Sequence, residues 1–157
     1  MKKITPFLWF DHEAEEAAKF YTSVFKNAKV GKIARYGDAG PGPKGSVMTV
    51  TFKIHGQEFV ALNGGPMYKF TPAISFAVDC KTQAEVDHLW DKLSSGGKKS
   101  HCGWLEDKFG VSWQIFPSGL VSILTGRNPR KSKKAMEAMR KMGKLDIKAL
   151  KKAYAEG

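Results

Sequence analysis

Ala73-Ile74-Ser75-Phe76-Ala77-Val78-Asp79 is a short run of β-formers closed by an acid. A helical pattern follows it, with Val86, Leu89, Trp90 and Leu93 at three- and four-residue spacing up to Gly96-Gly97. The same arrangement stands near the start of the chain. Ile4-Thr5-Pro6-Phe7-Leu8-Trp9-Phe10 is an apolar run ended by Asp11, read as the N-cap of a helix. The inner face of that helix is Ala14, Ala17, Ala18, Tyr21, Val24 and Phe25, and Asn27 closes it. Glu13, Glu15 and Glu16 lie in its first turn, where acidic charge suits the helix dipole. Strands follow each helix: 29–36, 47–54 and 58–62 in the first half, then one near 99–105 and another at 111–116 in the second. His55-Gly56 reads as a hairpin turn, Asp107-Lys108-Phe109-Gly110 as another turn, and the Gly/Pro-rich stretch 37–45 as a loop. Asp11 corresponds to Asp79, and Gly56 to Gly110. The Asp-to-Gly separation is 45 residues in the first half and 31 in the second, and the 37–45 loop accounts for most of the difference. The order predicts two copies of β-α-β-β-β.

Composition agrees with one globular domain or two fused modules. The chain has 157 residues, 42% hydrophobic and 26% charged, which excludes fibrous and disordered classes. No apolar run approaches the roughly 18 residues of a membrane span, and Met1-Lys2-Lys3-Ile4-Thr5-Pro6 lacks the apolar core of a signal peptide. Two cysteines, Cys80 and Cys102, make no disulfide framework, and the four histidines form no ligand spacing with them. A reducing, cytoplasmic setting is expected. The formal charge of +11 is uneven: residues 127–157 hold 11 basic and 3 acidic side chains, net +8, and leave the body nearly balanced.

One helix covers one face of such a module's sheet, so the other face needs a partner. Strand alternation sends Ile4, Pro6, Leu8 and Phe10 to one side and Phe7 and Trp9 to the other. In the second half Ser112, Gln114 and Phe116 oppose Val111, Trp113 and Ile115. The bulkier set, Phe7, Trp9, Trp113 and Ile115, is expected against the helices, and the remaining set around a cavity. The expected fold is therefore α+β: two βαβββ modules forming curved sheets around a cavity, with C-terminal amphipathic helices. Residues 1–126 form the body, with modules about 1–66 and 70–126, and 127–157 form a basic helical tail.

These residues carry a resemblance. The paired modules, the strand-Asp-helix opening leading to Phe20-Tyr21, and the entry Asp107-Lys108-Phe109-Gly110-Val111-Ser112-Trp113-Gln114 resemble the vicinal oxygen chelate superfamily of glyoxalases, extradiol dioxygenases and antibiotic-sequestering proteins. Leu62-Asn63-Gly64-Gly65-Pro66, Val86-Asp87-His88-Leu89-Trp90, Cys102-Gly103-Trp104 and the tail Met139-Arg140-Lys141-Met142-Gly143-Lys144-Leu145-Asp146-Ile147 resemble its PhnB-like branch. The resemblance implies metal-ligand positions at Ile4, Val60, Ala73 and Gln114. Three of these side chains have no donor and Gln114 alone cannot hold an ion, so neither a metal nor another cofactor is expected. Of the histidines, His12, His55 and His88 have surface or packing readings. His101 shares a stretch with Cys102, Trp104 and Glu106, but adjacent strand residues point to opposite faces and make no nucleophile pair. A demethylubiquinone methyltransferase label accompanies sequences of this branch. The common nucleotide-binding methyltransferases place a glycine-rich turn between a strand and a helix; here Gly64-Gly65-Pro66 runs into Met67-Tyr68-Lys69, and two prolines interrupt the glycines of 40–45.

The tail is amphipathic. Ala135, Met136, Met139 and Met142, then Ile147, Leu150, Ala153 and Tyr154, mark apolar stripes opposite the lysines. It offers no base-stacking aromatics beyond Tyr154, so nucleic acid is not the expected partner, and its stripe is read as docking on the body or on a second subunit. A homodimer is expected from the resemblance. The function expected is metal-free small-molecule binding, with or without catalysis. Ser75, Ser112 and Gln114 would orient the ligand, and Leu8, Phe10, Val60, Leu62 and Phe116 would supply contact area. A metal-dependent lyase or dioxygenase, and a nucleic-acid-associated protein acting through the tail, stand as alternatives.

Overall fold

The computed structural model describes residues 3–157. They divide into two compact units, with the boundary between Phe70 and Thr71. In the first unit the order is β1 (Phe7–Phe10), α1 (Ala14–Val24), β2 (Ala28–Arg35), β3 (Val47–Ile54) and β4 (Gln57–Asn63). The sheet order is β1-β4-β3-β2, with β1 parallel to β4 and the other pairs antiparallel. His55 and Gly56, at φ of 48° and 81°, turn the β3–β4 hairpin in the left-handed conformation such tight turns require.

The core of this unit lies between α1 and one face of the sheet. Ala14, Ala17, Ala18, Tyr21 and Val24 are buried, and the three alanines let the helix lie close. The Tyr21 ring stands 5.7 Å from Phe52, which stacks at 5.2 Å on Phe59. Alternation puts Ala61 on the side of Phe59, and the parallel register Leu8 to Ala61 brings Leu8 and Phe10 there as well. Bulk pointed the other way, to Phe7 and Trp9. Phe7 is instead 55% exposed. Trp9 is covered by the segment after β4: its indole N–H donates to the Gly65 carbonyl at 2.8 Å and the Tyr68 ring meets it edge-on at 5.0 Å. A Cβ at Gly64 would stand 2.3 Å from the indole, so the close approach depends on glycine.

Asp11 does not cap α1. The helix starts at Ala14 without a side-chain cap from its own N-terminus, and the Ala14 N–H donates across the unit to Asn63 Oδ1 at 2.8 Å. An orphan donor of the first turn is thus satisfied from the end of β4.

The second unit repeats the order with β5 (Ser75–Cys80), α2 (Gln83–Ser94), β6 (Lys98–Lys99), β7 (Trp104–Glu106) and β8 (Ser112–Pro117). The sheet runs β5-β8-β7-β6, with β5 parallel to β8. Thr82 caps α2 by accepting from the Glu85 N–H, and the Glu85 carboxylate accepts in return from the Lys81 N–H. Val86, Leu89, Trp90 and Leu93 of α2 are buried, as are Leu105, Trp113 and Ile115 of the sheet. The stretch expected as one strand near 99–105 is a hairpin. Cys102 and Gly103 turn it at φ of 58° and 83°. Asp107, 2% exposed, accepts from the Phe109 and Val111 N–H groups and from the Trp113 indole, all within 3.0 Å, and fixes the turn into β8.

Three helices end the chain: α3 (Leu120–Leu124), α4 (Pro129–Arg140) and α5 (Ile147–Ala155). Asn128 and Asp146 cap α4 and α5. Leu120, Leu145 and Leu150 form a buried cluster, with Phe116, Leu124, Met139 and Met142 packed against it. Gln83 holds the α5 start from both sides, donating to the Leu145 carbonyl at 3.0 Å and accepting from the Ile147 N–H at 2.8 Å. The Cys102 and Gly103 N–H groups donate to the Met142 and Gly143 carbonyls. The apolar stripe of the tail is therefore covered within this unit.

The expected curved sheets around a cavity are not what forms. Ladder pairing stops at β1 and β2 in one sheet and at β5 and β6 in the other, so each is an open, four-stranded sheet with two edges. Closure requires strands to pair all the way round, with about eight needed for a filled barrel, and neither unit supplies them.

Candidate functional site

The eight residues expected to bind a ligand fall into three groups. Leu8 and Phe10 are buried at 6% and 2% exposure on the α1 side of their sheet. Val60 and Leu62 lie in the same unit on the opposite face, because Val60 pairs with Phe7 and Leu62 with Trp9. Ser75, Ser112, Gln114 and Phe116 share one face of the second sheet, opposite Trp113 and Ile115. There Gln114 donates to the Ser75 hydroxyl at 2.7 Å, and Trp104 and Glu106 of β7 join the same face. Phe116 is packed against the tail cluster. The first unit's contribution is split between the two faces of the sheet: Leu8 and Phe10 lie under the helix, while on the other face Trp9 is covered by the 64–68 segment and Phe7 is exposed.

The implied metal-ligand positions are dispersed. Ile4 precedes β1 and is 83% exposed, and Ala73 precedes β5 and is exposed. Val60 is buried in β4, and Gln114 is engaged by Ser75. Among the described residues no three His, Cys, Asp or Glu side chains come together in a group that could hold a metal ion. His101 lies exposed on the β6–β7 turn, and the Cys102 thiol faces the Met139 carbonyl at 3.6 Å.

Sequence reasoning missed a different place. A hollow of about 480 Å³ opens in the first unit between the 37–45 loop and the ends of β1 and β4, lined by residues that include Asp11, His12, Tyr36, Ser46, Asn63 and Gly64. Its walls are built by local chemistry. Tyr36, 7% exposed, donates its hydroxyl to the Asn63 carbonyl at 2.5 Å. The loop wraps the Tyr36 ring so tightly that a Cβ at Gly40 or Gly42 would stand 2.5 or 2.4 Å from it. Asn63 is fixed at both ends of its amide, accepting from Ala14 and donating to the Val47 carbonyl at 3.1 Å. The Gly64 and Gly65 N–H groups donate to the carbonyls of Phe10 and Asp11. At the rim the Asp11 carboxylate and His12 Nδ1 stand 3.6 Å apart. These two side chains supply the lining with an acid and a base, while Pro41, Pro43 and Val47 supply apolar wall. The sequence signal was present in two stretches read only as punctuation: a tyrosine followed by spaced glycines, and Asn63-Gly64-Gly65 closing a strand.

Two open β-α-β-β-β units, each with its first strand parallel to its last, define the class of the glyoxalase and bleomycin resistance proteins. The family described as 3-demethylubiquinone-9 3-methyltransferase matches residues 2–116, and the chain belongs to it, in the PhnB-like branch of the vicinal oxygen chelate superfamily. A PhnB protein from Bacillus cereus is 40% identical over 74% of this chain and 100% of its own, with a TM-score of 0.68. A structure of a Pseudomonas aeruginosa protein is 21% identical over 74% of this chain and 98% of its own, with a TM-score of 0.62, and shares the fold. No curated protein matches the chain. The family match ends at residue 116, before the C-terminal helices. Among the described residues no helix is long and apolar enough to cross a membrane.

Proposed function

We propose that this PhnB-like protein binds a small, partly polar organic molecule in the hollow of its first unit, without a resident metal. The observation that carries this reading is the construction of the hollow. Its size lies in the roughly 300–1,000 Å³ range of small-molecule sites, and its wall residues are held before any ligand arrives. The Asp11 and His12 side chains would orient the ligand's polar group, and Pro41, Pro43 and Val47 would contact its apolar part.

Methyl transfer is not part of the proposal. The strand-to-helix junctions that lead from parallel strands are Asp11-His12-Glu13, Lys81-Thr82 and Ser118-Gly119; the first two hold no glycine and the third a single one before the five-residue α3, so none has the spaced glycines of such a turn. A nucleotide-binding turn needs glycine there so that backbone N–H groups can approach the ligand. The family description is therefore not matched by residues that could hold a nucleotide-type methyl donor in that way.

A second reading keeps the half-buried Ser75–Gln114 pair as the polar handle of a ligand on the face of the second sheet opposite Trp113 and Ile115, with the buried Ser112 beside it; the hydrogen bond between the two side chains favours it. Chemical-shift mapping with a library of fragment-sized organic molecules separates the readings. Shifts at Asp11, Gly42, Gly64 and Gly65 support the hollow, and shifts confined to Ser75, Ser112 and Gln114 support the second face. A library that moves neither set contradicts small-molecule binding. We take the assembly to be a homodimer, which the exposed Ile4, Phe7, Met67 and Tyr68 near edge strand β1 support, and the setting to be cytoplasmic, which two free cysteines support. Light scattering that returns a monomer at micromolar concentration contradicts the dimer.

A further inference from the structure

The charge of the tail has a defined surface. α4 and α5 run antiparallel, since a short turn joins them and Lys131, near the start of α4, lies 5.6 Å over the ring of Tyr154 near the end of α5. Met139 of α4 and Leu150 of α5 enter one cluster, so the opposite faces of both helices are turned to solvent. On those faces stand Lys133, Lys134 and Arg140 of α4 and Lys148, Lys151 and Lys152 of α5, all exposed. Three- and four-residue spacings align the α5 set into one stripe; on α4 Lys133 and Arg140 are aligned seven residues apart, with Lys134 one position round the same exposed face. Among the described residues none of the six is drawn into an ion pair, in contrast to Lys144, which meets Asp87 at 2.9 Å. Glu137 is the single acid within the α4 stripe.

We propose that this two-helix face is a docking surface for the phosphate backbone of a nucleic-acid duplex. The stripe from Lys133 to Arg140 is about 10 Å long at helical rise, and packed helices lie about 8–10 Å apart. That is a compact basic area for a duplex that carries one charge per about 1.7 Å of its axis. An acidic bilayer is the poorer fit. Basic helices that bind membranes also bury an apolar face among the lipids, and here the apolar faces of both helices are covered within the unit. Single strands are held by aromatic stacking, and the basic stripes expose no aromatic ring. With lysines predominating, the contacts are to phosphate and are indifferent to sequence.

The test is fluorescence anisotropy of the full chain with a mixed-sequence DNA duplex of about 20 base pairs at about 50 and 200 mM salt. Six phosphate contacts predict an affinity loss of about 10³-fold between those salts. The variant carrying Lys133→Gln, Lys134→Gln, Lys151→Gln and Lys152→Gln, its fold checked by circular dichroism, lowers the slope of log affinity against log salt by about 3.6. An RNA duplex bound within about tenfold of the DNA supports recognition through phosphate. No binding at the lower salt, a wild-type slope near zero, an unchanged slope in the variant, or tighter binding to a single strand or to phosphatidylserine vesicles overturns the proposal. The wild-type slope decides even if the variant does not fold.

Discussion

Asn63 shows how much one side chain can organise. Its amide closes the first turn of α1, ties β4 to the Val47 carbonyl and forms part of the hollow's wall. Asn63→Ala should cost about 1–2 kcal/mol in urea unfolding, the loss of a cap and of a partly buried hydrogen bond. Asp107→Ala should cost more, about 2–4 kcal/mol, because three donors that converge on a buried carboxylate are left unpaired. A loss below about 0.5 kcal/mol at Asp107 contradicts the network's structural role. Cys80 is the opposite case, a buried side chain with no chemistry on offer. Burial, reinforced by Glu85 and Asp79, pushes its thiol up to about 12. Mass spectrometry after treatment of the native protein with a thiol reagent should find Cys80 unmodified until the chain is unfolded. At this scale the sequence was a partial guide. Helix-capping statistics favoured Asp11, but the real partner of Ala14 lies 49 residues away, and a contact of that range leaves no local signature.

The elements were more legible because periodicity is a property of many residues together. Both long helices and the tail helices follow from apolar spacing, and the β3–β4 hairpin from His55-Gly56. The sides of β1 were not legible, because its residues are apolar on both faces and bulk is a poor guide to which face a helix covers. Trp9 is buried by a glycine-rich segment instead. The tail illustrates docking of a whole element. Leu150→Ala should destabilise the second unit by about 2–4 kcal/mol in urea unfolding, because Leu150 is buried in a closed cluster with Leu120 and Leu145. Acid should loosen the same junction. The hydrogen bond from Gln83, with Lys144 next, holds the Asp87 carboxyl below its ordinary value of 3.8. The folded chain then binds that proton less readily than the unfolded one, so the stabilisation is complete above the ordinary value and is lost as pH falls through the lower one. Solvent screening keeps the effect small. Protection of the Leu145 and Ile147 amides, their exchange taken relative to the intrinsic rate at each pH, should be the same at neutral pH and at about pH 5, and should fall below about pH 3.

At the scale of the molecule, the repeat was readable from the order of the elements and from Gly56 and Gly110, and the family from motifs spread along the chain; Asp11 and Asp79 are not equivalent, since Asp11 follows β1 and Asp79 lies inside β5. The shape of the sheets was not, since strand count and edge pairing depend on which strands meet and not on their composition. The concentration of the +11 charge in residues 127–157 was readable, and the structure adds that the apolar stripe of the tail is covered within its unit while the lysines are left facing water. The central claim is that a small molecule occupies the hollow beneath the 37–45 loop. A crystal structure of the full chain soaked with the fragments selected by chemical-shift mapping tests it most directly. The account predicts an ordered ligand against Asp11, Tyr36 and Asn63. A ligand bound instead beside Ser75 and Gln114, or at a metal ion, with the hollow holding water alone, would contradict it.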